Sequence, residues 1–458
     1  MCTPNSPRSG DGRSAVAQVA AGLLLATAFI VLWAVFKPRI DAPLSTDIVF
    51  VDKDPAVPLA MPEDLPSAGR AGGPVVRIGF VGDIMQHLAQ ATDDFAASYA
   101  RVAPLIEGFD LAVGNLEFPV DPSRPVGPPF GSVRFNGAPS HLDALADAGF
   151  DVLSTANNHA FDQGLDGALA TVEALRVRGL VAVGTGETDA PNLPVVVEAG
   201  GLTVAFAAYT MRPNGYDTAD GEIEWWSPDW PINELNFFDW TAEYRREGVA
   251  LFDAHAAQVR DVDLRVALVH WGDEWHFQPS EDQRLAAHDM IDAGFDLVIG
   301  GHSHVLNGPE LYRGGLIAYS LGNFISDFVA TETRTGAVLE VAVAPGPSGG
   351  AEIVDFGFYA VLTERDGHVV TPLAPERTGE RRDAWSLAER IVGPSLTAYE
   401  GPRRRDGVRQ PVESAAATPQ RPRRSSQGGG AVGASPHRPA TGAGVEENHT
   451  RRSTMPEP

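Results

Sequence analysis

The sequence predicts an α/β protein, and three features carry that expectation. Strand-like apolar runs (VVRIGFVG, DLAVGN, LVAVG, LTVAFAAY, RVALVHWG, DLVIGG and GLIAYSLGNF) alternate with segments of helical spacing over 138–148, 165–178, 248–260 and 280–293. The apolar runs are short and unbroken, as strands buried on both faces require. One unit is also written twice: DAGFDVLSTANNH ends on His159, and DAGFDLVIGGHSH ends on His304. In each copy apolar residues at helical spacing (Leu142, Leu145, Ala146; Leu285, Ala286, Met290) lead to Gly149 or Gly294, placed as a helix C-cap. Each copy therefore reads helix, tight turn, buried strand. The histidine lies just past the strand's carboxyl end, where open α/β sheets bind ligands.

The flanks of this α/β region, 75–375, read differently. Residues 15–36 (AVAQVAAGLLLATAFIVLWAVF) are uncharged over the length a bilayer-spanning helix needs, and a buried core helix is the alternative. No small-x-small cleavage site comes after them, so an uncleaved signal anchor is expected, with 1–14 as a short cytoplasmic N-terminus. The body then lies outside the cytoplasm on a single-pass anchor in the cell membrane. Residues 37–74 are Pro/Ala-rich and read as a linker, and 376–400 as a C-terminal extension. The Arg/Pro/Gly-rich stretch 401–458 has almost no large apolar residues and reads as disordered. Net charge of −25 argues against nucleic acid as a partner. The single cysteine, Cys2, rules out an internal disulfide.

The residues just past each strand set the chemistry. Gly82-Asp83 comes after the first, with His87 four residues on; then Gly114-Asn115-Leu116-Glu117; then Asn157, Asn158, His159 and Asp162. His270 comes after RVALV, with Glu274 four residues on, and LVIGG leads to His302 and His304. Imidazole nitrogens with carboxylate and amide oxygens are the ligands that borderline divalent metals take. With no thiolate beside them, a zinc-finger type of structural site is excluded. Ligands spread over several strands fit a catalytic site held by a rigid sheet. His276, His288, His141 and His255 fall outside this pattern and read as surface or packing residues.

The order Gly-Asp, Asn-x-Glu, Asn-Asn-His, His-Trp-Gly-x-Glu, Gly-His-x-His resembles the calcineurin-like metallophosphoesterase superfamily. Within it, HWGDEW and the block 280–324, together with AYTMRPNG, are similar to the CapA family of capsule and poly-γ-glutamate synthesis. The resemblance covers about 78–327. It implies a four-layer α/β/β/α sandwich with two divalent ions (Mn, Fe, Zn or Mg) at the strand ends. By that resemblance Asp83 and His304 hold one ion, Asn158, His270 and His302 the other, and Glu117 bridges them. His159 is then the non-ligand imidazole facing the leaving group. Asp162 either orients it or caps the next helix. Two departures stand out: Asp83 lacks the usual Asp-x-His partner, leaving His87 as a substitute, and the second strand reads Gly-Asn115 where Gly-Asp is usual. Asn115, His87 and Glu274 are thus expected as ligands or supports around them.

The implied activity is a membrane-anchored hydrolase of the cell envelope, acting on a phosphoester or amide bond with hydroxide made available by the metals. Two other functions fit the same residues: an accessory, non-catalytic subunit of capsular polymer assembly or export, or a metal-dependent peptide-modifying enzyme. The partners to expect are capsular polymer or peptide as substrate and a polymer-synthesis complex. The acidic, aromatic stretch 216–240 reads either as a rim over the site or as an insertion anchored by its own aromatics.

Overall fold

Every residue of β1 (Val76–Ile84) is buried except Arg77, as suits a strand covered on both faces. The computed structural model describes residues 74–90, 94–127, 134–186, 192–211, 213–217, 223–224, 231–347, 349–401 and 414–415. The expected anchor 15–36, nearly all of the linker, and the tail apart from Gly401 and Ser414–Ala415 lie outside them. Among the described residues no helix is long and apolar enough to cross a membrane.

Two mixed sheets carry the fold. In the first, β1 pairs in parallel with β2 (Leu111–Leu116), followed by β3 (Val152–Ser154) and β4 (Val181–Val183). The second is built from β5 (Val195–Ala199), β6 (Leu202–Thr210), β9 (Leu264–His270), β10 (Leu297–Gly301), β11 (Pro309–Tyr312) and β12 (Gly315–Ala318). A separate pair joins β7 (Tyr216–Asp217) to β8 (Ile223–Glu224). The chain then returns to the first sheet as β13 (Asn323–Ile325), β14 (Thr335–Pro345), β15 (Ala351–Thr363) and β16 (Val370–Pro372). The first sheet runs β16-β15-β14-β1-β2-β3-β4 with β13 against the end of β1, and the second β11-β12-β10-β9-β6-β5-β17, where β17 is Ser414–Ala415. Two residues of the stretch expected to be unstructured thus extend a sheet.

The inner faces of both sheets share one core, in which Ile78, Phe80 and Val113 meet Val204, Phe206, Val266 and Leu297. Helices α1 (Pro139–Asp147) and α2 (Gly164–Arg176) cover the outer face of the first sheet through Leu142, Leu145 and Leu175. Helices α3 (Ala242–Gln258) and α4 (Glu281–Ala293) cover the second through Phe252, Ala286 and Met290. The result is an α/β sandwich with sheets inside and helices outside. Helix α5 (Glu380–Val392) joins the inner core through Ala384, Leu387, Ala388 and Ile391.

One local device recurs in both sheets. An aspartate just before a parallel strand accepts the N–H of a residue in the neighbouring parallel strand: Asp110 from Arg77 (2.8 Å), Asp151 from Ala112 (2.7 Å), Asp263 from Thr203 (2.8 Å) and Asp296 from Arg265 (2.8 Å). Each carboxylate satisfies a donor at the sheet's amino edge, where the ladder has no partner to offer.

Two expectations need correction. The helix expected to begin at 248 begins at Ala242, because the polar turn AEYRREG gives no apolar period to read. Gly248 is interior, and a Cβ there would lie 2.0 Å from the Trp240 indole packed over it. The run GLIAYSLGNF is not one strand: it leaves the second sheet at Ala318 and enters the first at Asn323. Of the 216–240 stretch, residues 218–222 and 225–230 lie outside the described set. Trp240 is buried, donating to Asp289 at 2.9 Å, so this end of the stretch is anchored by its own aromatic.

Candidate metal centre

The carboxyl ends of β1, β2, β9 and β10 meet where the two sheets face each other. Asp83 is reached from both. Its Oδ1 accepts from Asn115 Nδ2 (2.8 Å) on β2, and its Oδ2 accepts from the His302 backbone N–H (2.9 Å) beyond β10. That approach needs glycine: a Cβ at Gly301 would sit 2.3 Å from Asp83 Oδ1, and one at Gly82 only 1.9 Å from the Gly322 carbonyl oxygen. The Gly-Asp and Gly-Gly-His motifs are therefore two sides of one contact. His302 (φ 89°) and His304 (φ 57°) both occupy left-handed backbone, a strain of about 1 kcal/mol or more each that clusters at functional sites.

Around Asp83 the expected ligands converge. His270 Nε2 lies 3.0 Å from Asn158 Oδ1, 3.1 Å from His302 Nδ1 and 3.4 Å from Glu117 Oε1. His304 Nε2 lies 4.0 Å from Glu117 Oε1 and 3.9 Å from Glu274 Oε1, while its Nδ1 lies 3.5 Å from Asp83 Oδ2. Among the described residues, three groups have ligand atoms all within 4.8 Å of one another: Glu117 with His270 and His302, Asp83 with Glu117 and His304, and Glu274 with His302 and His304. Glu117 belongs to the first two. It is fully buried, yet among the described residues neither of its carboxylate oxygens has a hydrogen-bond donor. A buried carboxylate without donors is costly, and a bound metal cation would supply the positive charge it lacks. The donor set, imidazole with carboxylate and amide oxygen, fits such ions.

The electrostatics agree. Burial pushes Asp83 up, but its hydrogen bond to His304 and the charges of His270 and His304 outweigh this and hold it below the usual carboxylate range. Burial lowers His304, yet Glu117, Asp83 and Glu274 overcome it and raise the imidazole to about 10. His302 is driven well below its ordinary value by burial and then by its neighbours His270 and His304, so its nitrogens are free of added protons.

His159 stands beside this cluster. Its Nδ1 bonds Asp162 Oδ2 at 2.6 Å, and the same oxygen accepts the Phe135 N–H at 2.6 Å. Burial lowers His159, but the Asp162 charge and hydrogen bond hold it above the ordinary imidazole value. Asp162 makes no side-chain cap on α2, whose N-cap is Gln163, so the geometry matches the orienting contact. The Phe135 ring packs on His159 with centroids 4.4 Å apart.

The three supporting positions separate. Asn115 bridges Asp83 and, at 3.1 Å, His270 Nδ1; its Oδ1 accepts from Asn157 Nδ2 at 3.2 Å. Glu274 joins one ligand group. His87 joins none: its Nδ1 accepts the Asp327 N–H at 3.0 Å, burial holds it down to about 3, and its ring packs on Phe135 and Phe328. Sequence reasoning missed Asn323, whose buried Oδ1 accepts from His304 Nδ1 at 2.9 Å and fixes the ring with Nε2 toward Glu117. Its signal was the Gly-Asn pair after GLIAYSL, hidden inside a run that reads as plain strand.

Comparison with known proteins places this geometry. The family described as "Bacterial capsule synthesis protein PGA_cap" matches residues 77–328. The chain is 28% identical over 335 residues to the PGA biosynthesis protein CapA of Bacillus subtilis, covering 69% of this chain and 81% of that protein. It is 31% identical over 274 residues to the capsule biosynthesis protein CapA of Bacillus anthracis, covering 57% of this chain and 62% of that protein. A probable polyglutamine synthesis accessory protein of Mycobacterium tuberculosis is 30% identical over 203 residues, covering 42% of this chain and 49% of that one. The family match takes in every strand end that delivers Asp83, Glu117, Asn158, His270, His302 and His304, and the chain belongs to the CapA family of bacterial capsule synthesis proteins.

Proposed function

We propose that this chain is a metal-dependent hydrolase of capsule or poly-γ-glutamate synthesis, of the metallophosphoesterase type, acting on a phosphoester or amide bond in the cell envelope. One observation carries the reading: Glu117, buried and, among the described residues, without a hydrogen-bond donor on either oxygen, belongs to two groups of metal-compatible side chains. Asp83, Glu117 and His304 would hold one divalent ion, and Glu117, Asn158, His270 and His302 the second. Such ions supply Lewis-acid activation of water and of the substrate's phosphoryl or carbonyl oxygen.

The chain's own residues supply the rest. Asp162 holds the His159 proton at Nδ1 and orients the ring, leaving Nε2 to deliver a proton to the departing group. Asn115 and Asn323 fix Asp83 and His304 by side-chain hydrogen bonds, so neither has to reorganise when substrate arrives. Residues 15–36, in this reading, tether the site to the outer face of the membrane.

The test is a screen of the metal-loaded protein against phosphodiesters, phosphomonoesters and γ-glutamyl peptides. Hydrolysis of one class, lost in His304→Ala, supports the reading. A His304→Ala protein that still sustains polymer production in cells would favour an accessory role; the Mycobacterium tuberculosis relative is described as a probable polyglutamine synthesis accessory protein.

A further inference from the structure

We infer that Glu274 is a third carboxylate ligand of the metal centre, facing the open side of the site; the inference rests on the metal-dependent reading above. Charge is the first reason. The two ligand groups that share Glu117 contain only two carboxylates, Asp83 and Glu117, and the position beside Asp83 on β2 holds the neutral amide of Asn115. Two divalent ions bring four positive charges to a site that offers two negative ones. Uncompensated charge of that size in a buried pocket weakens binding of the second ion.

Position is the second reason. Glu274 forms its group with His302 and His304, so it shares one histidine with each of the other two groups and is within reach of either ion. Its Oε1 is 3.9 Å from His304 Nε2, and its side chain is 39% exposed while those of Asp83, Glu117, His270 and His304 are at most 3% exposed. It therefore closes the cluster from the solvent side.

The loop that carries it is held in place. Gly272 (φ 86°) and Trp275 (φ 64°) both adopt left-handed backbone. The Trp275 N–H donates to the Ser303 carbonyl at 2.7 Å, between the two histidines that Glu274 joins. Asn307 Nδ2 donates to the His276 carbonyl at 2.9 Å, and His276 Nδ1 bonds the Glu274 carbonyl at 2.9 Å. Strained backbone stapled to the His302–His304 loop fixes where the Glu274 carboxylate begins, and the side chain needs little further ordering to bind.

The experiment is calorimetric titration of Mn²⁺ into the metal-stripped full-length chain, its Glu274→Gln and Glu274→Asp variants, and Asp273→Asn as the exposed neighbour. Two equivalents bind wild type and Asp273→Asn. In Glu274→Gln one equivalent weakens at least about tenfold, Glu274→Asp recovers part of the loss, and the thermal midpoint of the metal-free protein is unchanged. Two equivalents at wild-type affinity in Glu274→Gln would overturn the inference and leave the metal centre standing. No uptake by wild type would remove the metal centre itself, and this ligand with it.

Discussion

Segments 147–159 and 292–304 make the same turn and then diverge. Gly149 (φ 93°) and Gly294 (φ 111°) both end their helices in left-handed backbone. In both, the next phenylalanine sends its N–H five residues back, Phe150 to Leu145 and Phe295 to Met290, each at 3.1 Å. Both then place an aspartate, Asp151 or Asp296, that clamps the neighbouring strand. Five residues later the copies differ in kind. The first has Ala156 where the second has Gly301, because only the second must let Asp83 approach its backbone. Asn157 and His159 in the first correspond to His302 and His304 in the second. The shared half of the unit builds a turn into a buried strand, and the divergent half delivers different side chains: the His159 imidazole held by Asp162 from one sheet and metal-compatible imidazoles from the other.

The largest expected effect tests that divergence. Gly301→Ala pushes Asp83 aside and lowers hydrolysis about 100-fold, as displacements near 1 Å do, whereas Ala156→Gly leaves it within a few-fold. Assays of both variants with bound metal quantified decide this; equal losses would erase the distinction. Next, His159→Asn lowers kcat by about 10²-fold or more at unchanged metal content, and Asp162→Asn by less, since it only orients the ring. Loss of metal from His159→Asn would move that histidine into the ligand set.

The shared half is sharpened by stability. Urea denaturation of Asp151→Ala shows a loss of about 2 kcal/mol, and of Asp296→Ala about 1 kcal/mol, because Asp151 is the more buried clamp. The reverse order would show that the two clamps are not equivalent devices. A smaller pH effect separates the helical layers. His141 on α1, 2.5 Å from Tyr99 Oη, is held by burial at about 3, and His255 on α3, 2.8 Å from Tyr209 Oη, at about 4. Both lie below the unfolded value of about 6.5. The unfolded chain therefore binds more protons between these limits, and stability falls as pH drops from about 6.5 toward about 4. His141→Gln should flatten that fall more than His255→Gln, and unchanged slopes would count against both assignments.

The sequence exposed the strand ends because Asp83, Glu117, Asn158, His270, His302 and His304 each come after a short apolar run. It concealed the contacts that join those runs across the two sheets. Asn323 belongs to the first sheet and supports a histidine delivered by the second, a contact between residues whose strands never pair. Gly301 and Gly82 are visible in the sequence only as glycines at strand ends, and their role as clearance around a carboxylate and a carbonyl needs the third dimension. Helix α3 began six residues before its expected start, since its first turns are polar on every side and Gly248 sits beneath Trp240.

Crystals of the protein soaked in Mn²⁺, with anomalous scattering measured at the manganese edge, test most directly whether these side chains gather around cations. The expected map has two peaks flanking Glu117, one against Asp83 and His304, the other against Asn158, His270 and His302. A map with no peak beside Glu117 would contradict the metal centre and the hydrolytic role built on it.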